Sequence, residues 1–286
     1  MKNLASIEVI KQILADTGFR FSKSLGQNFL TDEGVLDKIV ENSGIDKNTC
    51  VLEIGPGFGT LTQRLCMAAK KVVAVEIDSS AIPILKDNLS DFDNLAIIND
   101  DVLKCDLDAI FKEHFADSEV RVAANLPYYI TTPIIMHFLE SHTRAKSLTV
   151  MIQKEVAMRI GAKEGTKDYG ALTVAVNYFS EPEIITHVPP SAFIPQPKVS
   201  SSVVKLNIRE HPPVEVTNEK GFFKVVKAAF AQRRKTLLNA LSNSGDIPLS
   251  KENVAKVLAE CGIDPQRRGE TLTIEDFANL TNKIFA

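Results

Sequence analysis

Long uninterrupted apolar runs are missing from this chain of 286 residues, so a membrane-spanning helix is not expected. Cysteine is scarce. The four present, Cys50, Cys66, Cys105 and Cys261, are scattered, form no C-x-x-C pair and have no histidine at ligand spacing. That argues against a zinc site or a disulfide framework and for a reducing, cytoplasmic compartment with most thiols buried and inert. A signal peptide is not expected either, because Glu8 and Lys11 interrupt the apolar residues before an h-region can form. Internal repeats and low-complexity segments are absent. Net charge is small: 33 Lys and Arg against 36 Asp and Glu give −3, which does not describe a general polyanion sponge. The small total conceals an asymmetry. Between Asn218 and Ser242, Lys220, Lys224, Lys227, Arg233, Arg234 and Lys235 face only Glu219, a local +5 that leaves −8 for the remainder. The segment reads as one basic helix able to hold a phosphate backbone, or as a solvated helix face.

What is present is an ordinary soluble composition, 44% hydrophobic and 24% charged, at a length suited to one large core plus a smaller domain. Apolar residues at helical spacing predict a helix over 4–15, followed by a non-periodic ordered loop from Phe19 to Leu30. Thr31 is placed to cap a helix over 32–43 that Gly44 ends. Strands are predicted at 49–54, 71–77, 95–99, 120–125 and 147–152, alternating with helices at 60–68, 80–90, 107–115 and 133–140. That alternation means a doubly wound α/β sheet. Segments 155–162 and 169–178 read as helices, and 183–188 and 199–208 as two final strands, a hairpin-like pair at the sheet edge. His211-Pro212-Pro213 breaks the pattern, and only helices follow, over about 219–242, 250–261 and 274–285. The predicted division is residues 1–209, with an N-terminal extension over 1–45, and an all-α domain over 210–286.

The chain is organised around Val51-Leu52-Glu53-Ile54-Gly55-Pro56-Gly57-Phe58-Gly59. Glycines at a strand-to-helix turn let backbone N–H groups approach a ligand with no Cβ in the way. A second β-branched run ends in Glu76, 21 residues beyond Gly55, where a Rossmann-like unit places a carboxylate on a ribose. A nicotinamide dinucleotide needs G-x-G-x-x-G to meet a pyrophosphate, and Thr60 stands where the third glycine belongs. The spacing is instead E-x-G-x-G-x-G, which resembles motif I of methyltransferases that use S-adenosylmethionine (SAM). SAM favours close backbone and carboxylates over a phosphate cradle, so it is preferred to NAD.

Other strand ends face the same cleft. Asn99-Asp100-Asp101 closes the third strand. Asp101 can accept a hydrogen bond from an adenine amino group, and Asp100 beside it can equally be a helix-capping or solvated residue, the residues alone not separating the two. Ala124-Asn125-Leu126-Pro127-Tyr128 closes the fourth and resembles motif IV of methyltransferases that act on exocyclic amines. The chemistry explains the residue types. Adenine N6 is a poor nucleophile because its lone pair is delocalised into the ring. The Asn125 side-chain oxygen and the Leu126 carbonyl can accept from that amine and stabilise the positive charge developing on it. Pro127 fixes the backbone without an N–H to satisfy, and Tyr128 offers a face on which an extruded base stacks. Neither a metal nor a general base is needed, because in-line positioning does most of the work.

Three stretches together, Ser24-Leu25-Gly26-Gln27-Asn28-Phe29-Leu30, Asn125-Leu126-Pro127-Tyr128 and Ala192-Phe193-Ile194-Pro195-Gln196-Pro197-Lys198-Val199-Ser200-Ser201, closely resemble the ribosomal RNA adenine dimethyltransferases, essentially end to end. The resemblance implies a seven-stranded, Rossmann-like class I methyltransferase domain with an antiparallel last strand. It implies SAM as donor and dimethylation at N6 of two adjacent adenines in the 3′-terminal hairpin of 16S ribosomal RNA, in the immature small subunit, as part of ribosome biogenesis. By the same resemblance Asn28, Leu30, Gly55, Gly57, Glu76, Asp101 and Asn125 contact the cofactor, Asp101 being chosen over Asp100. Phe193 is implied as a second aromatic that sandwiches the target adenine against Tyr128, with a core phenylalanine as its alternative. Arg233, Arg234 and Lys235, with Lys227, are implied to meet RNA phosphates, a surface that Arg20 and Lys23 extend. A monomer is the default.

Three rival functions follow from the same residues. One is an antibiotic-resistance methylase of large-subunit ribosomal RNA, which shares the Asn-Leu-Pro-Tyr chemistry. Another is an NAD-dependent dehydrogenase, which the third glycine would have favoured. The last is a ribosome-assembly factor whose binding matters more than its methylation.

Overall fold

In the computed structural model, which describes residues 2–22 and 25–286, the alternating apolar runs form a seven-stranded sheet flanked by helices. The chain opens with α1 (Ile7–Thr17), a two-residue strand β1 (Phe29–Leu30) and α2 (Glu33–Ser43). There follow β2 (Cys50–Ile54), α3 (Thr60–Ala68), β3 (Lys71–Glu76), α4 (Ile82–Asn88), β4 (Leu95–Asn99), α5 (Leu107–Phe115), β5 (Val120–Asn125), α6 (Thr131–Glu140) and β6 (Ala145–Gln153). Next come α7 (Lys154–Ile160), α8 (Ala171–Phe179), β7 (Ser180–Val188), the short β8 (Phe193–Ile194) and β9 (Ser201–Ile208). The remainder carries α9 (Glu219–Phe230), α10 (Leu237–Ser242), α11 (Lys251–Glu260) and α12 (Ile274–Ile284).

The sheet order is β4-β3-β2-β5-β6-β9-β7. Neighbours from β4 to β6 run parallel, and β9 runs antiparallel to β6. The antiparallel last strand is as expected, and β9 and β7 are the expected pair at the sheet edge, with β9 next to β6 and β7 outermost. The sequences explain why. Ser201 to Val204 of β9 are all buried, whereas β7 exposes Glu181, Glu183, Ile184 and His187 and contains Pro182. Only β9 suits a strand covered on both sides, and proline is tolerated on the edge. β1 and β8 form a separate antiparallel ribbon, pairing Phe29 with Ile194 and Leu30 with Phe193. Thr31 belongs to that ribbon, its N–H donating to the Ala192 carbonyl at 2.8 Å, so it does not cap α2. Asp32 does, its carboxylate accepting from the Val35 N–H at 3.1 Å.

The chain divides into two compact units. One comprises the residues up to Ala157 with Pro182–Ile208, and the other Met158–Glu181 with Arg209–Ala286. A single cut near residue 209 therefore describes one crossing only, because α8 groups with the C-terminal helices. Its aromatic end accounts for this. Tyr178 stacks on Phe222 of α9 at 4.8 Å, and Phe179 on Phe223 at 5.3 Å. In the first unit, Val51, Val72, Ala123, Met151 and Val203 of the sheet pack with Leu36 and Ile39 of α2 and Leu61 and Leu65 of α3. A second cluster joins Leu4, Ile10 and Ile13 to Phe29, Phe58, Leu85 and Leu89. It fastens the N-terminal loop, since each buried aromatic or aliphatic side chain contributes about 1.5–3 kcal/mol.

In the second unit the basic segment is two helices, not one. α9 ends at Phe230, and residues 231–236 turn before α10 begins at Leu237. Gln232 to Lys235 offer no apolar residue to bury, and the Leu237 N–H donates to the Arg267 carbonyl at 2.7 Å instead of continuing a helical ladder.

Candidate active site

The parallel register brings the chemistry-bearing strand ends side by side. Ile54 lies opposite Val75 and Ala124, Glu76 opposite Asn99, and Asn125 opposite Met151. The chain order runs outward from β2 through β3 to β4 on one side and from β5 to β6 on the other. The carboxyl ends at such a switch point form a ligand crevice. The crevice encloses about 980 Å³, counting open solvent at its mouth. Asn28, Gly55, Gly57, Glu76, Asp101, Asn125, Leu126, Pro127 and Tyr128 line it.

The turn after β2 requires its glycines for two different reasons. Gly57 has φ +57°, and a Cβ there would stand 2.5 Å from Cε1 of Phe29, so the aromatic loop residue packs directly on the backbone. At Gly55, φ is +67° and a Cβ would meet nothing within 4 Å, leaving the floor of the crevice open to a ligand. Glu76 is buried at 5% exposure, its Oε2 accepting from the Gly57 N–H at 3.0 Å and its Oε1 from the Asp78 N–H at 2.8 Å. Burial raises its carboxyl above the ordinary range, and these backbone donors offset part of that.

Asn125 donates from Nδ2 to the Asn28 carbonyl at 2.8 Å. A carbonyl can only accept, so the amide nitrogen must be the end facing Asn28, and Oδ1 is left as an acceptor at the crevice. The Pro127 carbonyl accepts from the Ile130 N–H at 3.2 Å and the Thr131 hydroxyl at 3.1 Å, turning the chain into α6. The Tyr128 hydroxyl lies 2.6 Å from that of Ser201, which anchors the ring from its far end. Asp100 and Asp101 both line the crevice. Asp100 Oδ1 accepts from the Asp101 N–H at 2.7 Å, while Asp101 accepts from the Leu103 N–H at 3.1 Å and pairs with Lys104 at 3.4 Å.

Two expected site residues stand elsewhere. Leu30 and Phe193 are each 1% exposed, face one another across the β1–β8 ribbon and belong to the apolar core. Arg233, Arg234 and Lys235 are brought together on the exposed turn between α9 and α10, with the Arg233 guanidinium donating to the Lys167 carbonyl. Lys227 pairs with Asp246 at 3.7 Å. Arg20 is exposed on the first unit, and Lys23 lies outside the described residues.

The crevice also has residues that motif reading left without a role. Glu53 is 1% exposed, its Oε2 has no hydrogen-bond partner, and burial pushes its carboxyl up to about 8. Its place in E-x-G-x-G-x-G is visible in the sequence, but its isolation is not. Gln27, Ile77 and Tyr129 also line the crevice, and Ile77 and Tyr129 are exposed apolar surfaces there, at 49% and 58%. An open glycine floor, a carboxylate held by backbone amides and apolar surface at Ile77 fit a nucleoside carrying an amino-acid end.

Comparison with known proteins agrees with that geometry. Residues 18–285 match the family model described as Ribosomal RNA adenine dimethylase. Ribosomal RNA small subunit methyltransferase A of Alkaliphilus oremlandii is 54% identical over 284 residues, covering 99% of each chain. The protein of that name from Geobacillus thermodenitrificans is also 54% identical, over 99% of this chain and 97% of its own. Among solved structures, a dimethyladenosine transferase from Plasmodium falciparum has a TM-score of 0.75 at 29% identity, covering 88% of this chain and 95% of that one. The 23S rRNA methyltransferase ErmE has a TM-score of 0.66 at 26% identity, covering 90% of this chain and all of its own. With its glycine turn, its Asn-Leu-Pro-Tyr strand end and its full-length likeness to these enzymes, the chain belongs to the ribosomal RNA adenine dimethylase family.

Proposed function

We propose that the protein dimethylates N6 of two adjacent adenines in the 3′-terminal hairpin of 16S ribosomal RNA, using SAM, during maturation of the small ribosomal subunit. The observation that carries the reading is the orientation of Asn125. Its amide nitrogen is held by Asn28, so its oxygen is the free acceptor beside the crevice that Glu76 and the glycine turn delimit. When bound, SAM supplies a methyl group made electrophilic by its sulfonium. The chain's own residues do the rest. Glu76 presents a fixed carboxylate to a ribose. Asp101 accepts from an adenine amino group. Asn125 Oδ1, with the Leu126 carbonyl, accepts from the target amine and stabilises the charge that grows on it. Tyr128, held by Ser201, gives the extruded base a flat surface. Phe193 belongs to the apolar core and is not assigned a stacking role.

Arg233, Arg234 and Lys235 supply phosphate contacts, which position RNA without specifying a base. Sequence similarity supports small-subunit over large-subunit RNA, because the relatives named for the small subunit are similar over the whole chain at 54% identity, against 26% for the 23S enzyme. The cytoplasm is the compartment such a substrate implies.

The test is methyl transfer from labelled SAM to small subunits lacking the modification, with the product nucleosides separated. Dimethyladenosine in the 3′-terminal hairpin is expected. Transfer to large-subunit RNA alone would keep the chemistry and overturn the target.

A further inference from the structure

The short segment from Leu25 to Phe29 touches every wall of the crevice. Phe29 packs on Gly57 and stacks on Phe58 at 4.3 Å. Asn28 holds Asn125 through its carbonyl. Gly26, at φ +58°, lies so close to Tyr129 that a Cβ would stand 3.3 Å from its ring. Gln27 closes the remaining side. Its Oε1 accepts from the Ser22 N–H at 2.8 Å, and its Nε2 donates to Asp78 Oδ2 at 2.7 Å. The other carboxylate oxygen of Asp78 is fixed by the Ser80 N–H at 3.0 Å and the Ser80 hydroxyl at 2.5 Å. The Asp78 N–H in turn holds Glu76, and Glu76 holds Gly57. One run of hydrogen bonds therefore connects Ser22, Gln27, Asp78, Glu76 and Gly57, from the N-terminal loop to the floor of the crevice.

We propose that Gln27 is a positioning residue that, anchored on Asp78, fastens the N-terminal loop across the crevice and so sets both the Glu76 carboxylate and the Asn28 carbonyl that orients Asn125. The inference deepens the cofactor reading and rests on it. An amide suits this place because it both donates and accepts. Asp78 accepts and cannot donate when ionised, while the Ser22 N–H needs an acceptor, so the bridging side chain must offer one of each. The bond to Asp78 is charge-assisted and half-buried, which makes it stronger than a neutral surface contact. The pair acts at a distance from the reacting atoms. Its effect is to remove loop freedom before the cofactor arrives, and preorganisation of that kind appears in affinity.

Three variants of the full chain test this. Gln27→Glu keeps an acceptor for Ser22 but sets a second carboxylate against Asp78. Gln27→Glu with Asp78→Asn restores the bond with donor and acceptor exchanged. Gln27→Ala removes both bonds without adding repulsion. SAM affinity is read by calorimetry, amide hydrogen exchange over residues 25–30 is followed without cofactor, and steady-state methyl transfer is measured in parallel. Gln27→Glu is expected to raise the SAM dissociation constant about tenfold and Gln27→Ala about threefold to tenfold. KM for SAM should rise more than kcat falls, exchange over 25–30 should quicken, and the double variant should recover most of each loss. Wild-type affinity and exchange in Gln27→Glu, or a double variant no better than the single one, would overturn the proposal. A wild-type protein that binds no SAM would instead remove the cofactor reading, and the positioning role with it.

Discussion

Replacing Glu53 by glutamine should change how the protein's stability depends on pH. Glu53 lies in the middle of the sheet, opposite Ala74 and Ala123, with 1% exposure and an unpartnered Oε2. Burial pushes its carboxyl from 4.5 up to about 8, and the neighbouring Glu76 carboxylate acts in the same direction. The folded state therefore holds a proton that the unfolded chain releases at a much lower pH. That contribution to stability is complete below about 4.5 and is lost as pH rises through about 8. Within the window each pH unit costs about 1.4 kcal/mol, so the interval from about pH 5.5 to 7.5 removes roughly 2–3 kcal/mol. Set against a total stability of about 5–15 kcal/mol, that is measurable. Glutamine has the same shape and does not titrate. Urea unfolding of wild type and Glu53→Gln across this range gives the difference, in which titrations not coupled to Glu53 cancel. The wild type should lose ground to the variant steadily as pH rises and stop losing above about 8. Parallel stability curves would refute the reasoning and mean that Glu53 is ionised in the fold, with a partner supplied by solvent.

Three other outcomes follow from the geometry. Asn125→Ala should lower kcat by about 10²–10³, the scale of losing one aimed polar group, while retaining binding to immature small subunits in a sedimentation assay. Loss of both would mean that the residue shapes the fold rather than the reaction. Ser201→Ala removes the hydroxyl that anchors Tyr128 and should lower kcat severalfold, roughly 1 kcal/mol for one hydrogen bond, without changing SAM affinity in calorimetry. Neutralising Arg233, Arg234 and Lys235 together should weaken RNA binding and flatten its dependence on salt by about 0.7–0.9 for each phosphate no longer neutralised, whereas an unchanged slope would leave the turn as solvated surface.

The alternation of strands and helices was legible because β-branched runs and glycine or acid punctuation are local signals. The crevice was legible for the same reason, since Gly55, Glu76, Asp101 and Asn125 each close a predicted strand. What escaped depends on partners far along the chain. The edge pair of β7 and β9 was expected, but which of the two pairs with β6 was not, because no residue of β9 names that partner. The polar run Gln232 to Lys235 reads as helix by composition, but the Leu237 amide is claimed by Arg267, and α9 stops at Phe230. Phe193 carries an aromatic ring in a suggestive motif, yet its cross-strand partner is Leu30 and its surroundings are apolar core. Gln27 stands in a stretch that carries the resemblance, but its role was not legible, because its bond to Asp78 spans 51 residues.

The ribbon of β1 and β8 has a consequence for synthesis. Every residue that lines the crevice has been made once the chain reaches Ile134. The strand that pins Phe29 and Leu30 arrives only at Phe193, and the Ala192 carbonyl that receives Thr31 arrives with it. Pairing across such a sequence separation requires closing a long loop and is slow. A nascent chain that has passed α6 but not β8 thus contains all the chemistry without the clasp that shapes its N-terminal wall. The clasp on the N-terminal wall therefore closes late in synthesis, after every residue lining the crevice has been made.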